Sequence, residues 1–207
     1  MRGSDYRREE NYQEYLRLLQ NANYTEITYD EQSGGVSAVH ILHRFDKQLG
    51  FFGIRRGEYE NNVVNVLRGH GYRIVLESEP SSGAKKCDGL LDDIPMEIKS
   101  IEGCGTWTIS TKLREAEKQH ASYVVLYFPD ETLYSPVRIR EGIRLSQSSP
   151  NKESGLGIDQ ILVIVKNNLV GYWDKKATPM EGWSIGEGLR GQNGANPFTI
   201  PPSDAKV

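Results

Sequence analysis

Six consecutive apolar residues, Tyr123–Phe128 (YVVLYF), constrain this chain more than any other segment. A run of that length reads as a strand buried on both faces, which requires layers covering a sheet above and below. It falls far short of the roughly 20 residues needed to cross a bilayer, and no other apolar run in the chain comes near that length. A layered α/β fold is therefore the expectation, and the segments before the run supply its parts.

Residues 110–121 (STKLREAEKQHA) predict a helix capped by Ser110 or Thr111, with an apolar line through Leu113, Ala116 and Ala121. Further upstream, EYENNVVNVLRGHG places Tyr59, Val63, Val66 and Leu67 on one helical face and stops at Gly69 and Gly71. A strand follows at Tyr72–Glu77. After a Pro-Ser-Ser-Gly loop at 80–83, CDGLL and PMEIKS read as two strands joined by a turn at Asp92-Asp93. The order helix, three strands, helix, strand thus spans 57–128, an α/β core with a mixed sheet.

The flanks are less regular. Residues 5–23 predict a helix with Tyr12, Tyr15, Leu16 and Leu19 on one face, and Val36–Phe45 suits helix or strand equally. Val137–Ser146 reads as strand then helix. Gln160–Lys166 and Leu169–Trp173 predict a hairpin about Asn167-Asn168. Residues 177–207, rich in Gly and Pro, read as an irregular tail. At 207 residues one domain with a sizeable core is expected: an N-terminal helical extension over 1–56, an α/β domain over 57–176, and the tail.

A net charge of −3 makes no overall case for duplex binding. The basic residues are grouped locally, at Arg55-Arg56, Lys85-Lys86, Arg138/Arg140/Arg144 and Lys175-Lys176, where the ordinary reading is solvated surface. Two cysteines, Cys87 and Cys104, make neither a disulfide framework nor a zinc site, so a reducing cytoplasm is the expected location. No signal-peptide pattern follows the basic start.

The chemistry sits in Lys86-Cys87-Asp88-Gly89, eight further residues, then Glu97-Ile98-Lys99. Alternate residues of a strand share a face, so Glu97 and Lys99 project together. If the two strands pair antiparallel, Asp88 arrives beside Glu97, and two carboxylates converge with an ammonium. Such a set suits phosphodiester hydrolysis. Oxygen ligands from Asp88 and Glu97, with the Ile98 carbonyl, suit Mg²⁺ (or Mn²⁺), and Lys99 would position a water or stabilise the charged transition state.

An Asp followed by Glu-x-Lys on a hairpin, with a Glu on the preceding helix, resembles the PD-(D/E)xK nuclease superfamily. The resemblance implies a restriction-endonuclease-like core with a mixed central sheet flanked by helices. It puts the upstream acid on Glu60, three residues after Gly57, with Glu58 a neighbour on another face. Cys87 stands where the superfamily usually has Pro. Over 57–128, about a third of the chain, the segment looks most like the C-terminal tRNase toxin domains of contact-dependent growth inhibition proteins and related proteins of phages and conjugative elements. That likeness implies Gln119 and Lys112 as supporting or phosphate-contacting residues, RNA (tRNA) as substrate, and an immunity protein as partner.

Other residues invite weaker readings. His40 and His43, spaced i and i+3, suggest a metal or base, but with no carboxylate in view the structural reading is preferred. His70 is expected to meet a helix dipole. Trp107, Trp173 and Trp183 are expected in packing rather than base stacking. The Gly-rich segment 182–194 lacks the Lys-Ser/Thr ending of a phosphate loop. Three functions follow: an RNA endonuclease, a DNA endonuclease of a mobile element using the same residues, and a non-catalytic module that keeps the fold as a scaffold.

Overall fold

The computed structural model describes residues 3–78, 86–148, 157–175 and 184–185. They form four helices, α1 (Gly3–Leu19), α2 (Arg56–Gly69), α3 (Thr108–Lys118) and α4 (Pro136–Gln147), around one mixed sheet. Its strands are β1 (Tyr24–Tyr29), β2 (Val36–His40), β3 (Arg73–Leu76), β4 (Gly89–Leu91), β5 (Ile94–Ser100), β6 (Tyr123–Phe128), β7 (Gln160–Val165) and β8 (Asn168–Asp174), in that spatial order. A two-residue strand, β9 (Ser184–Ile185), extends the β8 edge.

The order α2-β3-β4-β5-α3-β6 is the expected one. β3, β4 and β5 run as an antiparallel meander, and α3 then crosses over to place β6 parallel to β5. α4 makes a second parallel crossover from β6 to β7. The strand β6 is buried along all but its first residue. One of its faces packs with α2 through Val125 and Tyr127, and the other with α3 and α4 through Val124, Leu126 and Phe128. A strand with no polar face needs this double cover.

α2 buries Tyr59, Val63, Val64, Val66 and Leu67, the stripe legible in its sequence. At its end the His70 Nδ1–H donates to the Val66 carbonyl, a terminal acceptor, at 2.8 Å. The hairpin β7-β8 turns through Lys166-Asn167, one residue earlier than expected, because Val165 pairs with Asn168.

Four expectations change. The segment 1–56 is not a helical extension alone: β2 lies parallel to β3 inside the same sheet, with β1 beside it. Val36–Phe45, open between helix and strand, is strand over Val36–His40. In α1 the buried face runs through Asn11 and Leu18, whereas Tyr12 and Leu19 are exposed. Tyr12 and Tyr15 instead meet Tyr29 of β1 edge-on and tilted, with ring centroids 5.3 and 5.6 Å away. Val137–Ser146 is helix throughout, since Ser135 caps it by accepting the Arg138 N–H at 3.4 Å and Pro136 opens it at N1.

The start of α3 also differs from the expected cap. It begins at Thr108 with Trp107 in the cap position and no side-chain cap bond. Ser110 is consumed inside the first turn, its hydroxyl donating to the Trp107 carbonyl at 3.0 Å. The Pro-Ser-Ser-Gly loop, Lys85, Lys176, Trp183 and nearly all of the Gly/Pro-rich tail lie outside the described residues. Among the described residues no helix is long and apolar enough to cross a membrane.

Candidate active site

The hairpin arithmetic puts Asp88 opposite Glu97. Gly89 pairs with Met96 and Leu91 with Ile94, and the turn residues Asp92 and Asp93 both take positive φ, 50° and 67°. Asp88 stands one residue before β4, where the ladder has ended. Its backbone N–H donates to Glu97 Oε2 at 3.1 Å, and its own Oδ2 accepts the Ile98 N–H at 2.7 Å. The two acids are thus locked to each other through backbone donors. Gly89 permits this: a Cβ there would overlap the Val75 carbonyl of β3, so only glycine lets β4 lie this close to its neighbour.

Lys99, on the same face of β5 as Glu97, donates from Nζ to Glu97 Oε1 at 2.5 Å and to Gln119 Oε1 at 2.9 Å. Gln119 stands at the C-terminal end of α3. The Cys87 thiol donates to the Gln119 carbonyl at 3.0 Å, tying the helix end to the start of the hairpin. Burial, then the negative Glu97 and Asp88, push that thiol up to about 11, so it stays a donor. Cys87 has its own task at the position where the resemblance expects Pro.

Glu60 enters from α2. Its Oε2 lies 3.1 Å from His43 Nε2, and His43 Nδ1 lies 2.8 Å from the Glu77 carbonyl. A carbonyl only accepts, so Nδ1 carries a proton, and Nε2 turns to the carboxylate. The His43 side chain is nearly sealed, at 3% exposure. Burial would lower its pKa, but the bond to Glu60, the Glu77 carbonyl and the charges of Glu60 and Asp88 raise it overall. Gly57 makes room for this contact, because a Cβ there would sit 2.6 Å from Phe45 Cβ and 3.1 Å from the Asp46 carbonyl.

His43, for which the sequence favoured a structural role because no carboxylate was in view, has one in contact here, Glu60. Its partners stand 17 and 34 residues away. His40, by contrast, accepts the Leu42 N–H and packs against Tyr24, away from the acids.

Electrostatics set the acids apart. Burial first and the Glu97 charge next raise Asp88 to about 7, against weaker lowering by the Ile98 N–H. Burial raises Glu97 too, opposed by the charge and hydrogen bond of Lys99. Glu97 therefore has a cation at hand, while Asp88 has no ion-pair partner among the described residues.

Glu60, Asp88, Glu97, Ile98 and Lys99 line one cavity of about 750 Å³, whose outer wall includes Lys112. Lys112 pairs with Glu115 at 2.9 Å and touches none of the acids. Glu58 is exposed. Among the described residues no three His, Cys, Asp or Glu side chains gather as a metal cluster, since Glu60 turns to His43 and Glu97 to Lys99.

The donor set nevertheless suits one small, hard cation. Asp88 Oδ1 carries no hydrogen bond among the described residues, Glu97 adjoins it, and the Ile98 carbonyl leaves β5 on the edge where its N–H meets Asp88. No family model, curated protein or solved structure matches the chain.

Proposed function

We propose that this chain is a divalent-metal-dependent nuclease that hydrolyses phosphodiester bonds, of RNA (tRNA) ahead of DNA. The observation that carries the proposal is the lock between Asp88 and Glu97 at the open end of a hairpin, with Lys99 on the second carboxylate. The buried Glu97 and the half-buried Asp88 beside it repel each other, and a fold keeps such a pair where a cation offsets the repulsion.

Asp88, Glu97 and the Ile98 carbonyl would hold Mg²⁺ or Mn²⁺, which supplies charge neutralisation at the scissile phosphate and a more acidic water. Lys99, held by Gln119, presents its ammonium beside the same carboxylate, where it stabilises negative charge developing on the phosphate oxygens. Glu60, oriented by His43, faces the cavity as the upstream acid.

A second reading has its own support. Glu97 and Glu60 already have partners within the chain, Lys99 and His43, as a non-catalytic scaffold would arrange them. Asp88, with no ion-pair partner among the described residues and its carboxyl raised to about 7, is what that reading leaves without a purpose.

Purified chain incubated with tRNA and with plasmid DNA, in Mg²⁺ or in chelator, beside Asp88→Ala and Lys99→Ala, separates the two. The nuclease reading expects cleavage that requires metal and is lost in both variants. Cleavage in chelator, or variants as active as the parent, rejects it.

A further inference from the structure

We infer that the site takes an unpaired nucleic-acid strand, with a base stacked on the Trp107 indole at the cavity rim and its phosphates drawn in by Arg44 and Lys47; this rests on the nuclease reading above. Three observations meet here.

The first is an indole in solvent. Trp107 is 59% exposed, contrary to the packing role expected for it, while Trp173 is 8% exposed. An indole left in water forgoes the burial that normally retains this residue in a fold, and a flat aromatic face at a polar site is a stacking platform.

The second is that this platform is braced. Arg138 donates to the Gly103 and Gly105 carbonyls at 3.0 and 3.4 Å, and the Trp107 carbonyl accepts the Ser110 hydroxyl and the Thr111 N–H. Thr108, next to Trp107, and Gly103, four residues before it, line the cavity holding the acids. The backbone that carries the ring is held this way, so the loop loses little further freedom when a base covers the indole.

The third is a pair of free cations in the cavity lining. Residues 43–48 line the same cavity, and within them Arg44 and Lys47 are exposed with no hydrogen-bond or ion-pair partner among the described residues. Arg56, also in the wall, is by contrast committed to Glu102 at 2.6 Å. Two exposed cations in the lining of a cavity that also holds the acids suit phosphates that approach from outside.

An exposed aromatic ring next in sequence to a lining residue, with free cations and the acids in the lining of one cavity, matches the way single strands are bound: bases stack, and the backbone follows the positive charge. Within a duplex the bases already stack on one another and present edges, not faces, so the platform is open to a duplex only at its ends. Base stacking is tolerant of sequence, so the inference concerns strandedness and not a motif.

The test uses the full chain in chelator, so that binding is read without metal-assisted hydrolysis. Fluorescence anisotropy follows labelled 12-nucleotide single strands, as RNA and as DNA, and the corresponding duplexes, against the parent, Trp107→Ala, Trp107→Phe and Arg44→Ala/Lys47→Ala. The expected result is tighter binding of single strand than duplex, a loss of about fivefold or more with Trp107→Ala, and largely retained binding with Trp107→Phe. The double variant is expected to flatten the dependence of log K on log salt by about one to two units.

Equal affinity for duplex and single strand, or Trp107→Ala binding as the parent does, overturns the inference. Metal-dependent cleavage, measured separately, keeps the two proposals apart. Cleavage with no Trp107 effect removes this inference and leaves the nuclease, whereas Trp107-dependent binding without cleavage removes the nuclease and leaves a single-strand binder.

Discussion

Asp88 is the residue on which pH acts and on which the proposed metal would act as well. Its folded pKa of about 7 lies above its ordinary value of 3.8, raised by burial and then by Glu97. Between about pH 4 and 7 the folded chain therefore keeps a proton that the unfolded chain has released, and stability falls as pH rises through that window. Glu97, raised for the same first reason, adds in the same direction.

Metal-free protein should accordingly melt lower at pH 8 than at pH 5 as far as these groups act, by an amount on the order of 1–3 kcal/mol. Asp88→Asn removes the repelled charge while its amide oxygen can still accept the Ile98 N–H. It is expected to abolish cleavage and to raise the metal-free melting temperature at pH 8. A melting temperature at or below the parent's would show that the charge is not strained. His43→Ala unties Glu60 from its imidazole, and kcat should fall about 10- to 100-fold with folding retained, the range for residues that orient a catalytic group. Circular dichroism and initial rates on the same samples check both halves.

Single positions act at the scale of elements through close approach. Gly89 lets β4 lie against β3, and the same strand start carries Asp88. Gly89→Ala must push the hairpin away from the Val75 carbonyl, which costs on the order of 1–3 kcal/mol and moves Asp88 off Glu97. Cleavage should then fall by far more than the lost stability explains; denaturant unfolding beside single-turnover rates would show the disproportion.

Between α3 and α4 the contact is of another kind. Gly142 faces Ile109, whose Cβ and Cγ2 would lie 2.6 Å from any added Cβ. Gly142→Ala should destabilise by a similar amount while leaving the remaining folded fraction fully active, since neither residue touches the acids. The pair distinguishes a strand start that aims a catalytic group from a helix crossing that only supports the layers.

For the whole molecule, binding of a divalent cation to the folded state alone must stabilise it by mass action, RT ln(1 + [L]/Kd). Millimolar Mg²⁺ should raise the melting temperature more at pH 8 than at pH 6, because at the lower pH the ion competes with the Asp88 proton. No shift at either pH, or the same shift in Asp88→Ala, would remove the metal from that site.

The sequence by itself determined the local parts. A strand period of two places Glu97 and Lys99 on one face, a turn at Asp92-Asp93 brings Asp88 opposite Glu97, and an all-apolar run demands a covered strand. These features depend on neighbours a few residues away. What only the tertiary structure decided lies at long separation. β2 inserts beside β3, bringing residues 43–48 to the cavity, and His43 meets Glu60 and Glu77 across 17 and 34 positions. Trp107 stays in solvent because its loop is held by Arg138, 31 residues on, and no periodicity could place it at a rim and not in a core. Periodicity reports which side of its own element a residue faces, and packing alone decides what stands opposite.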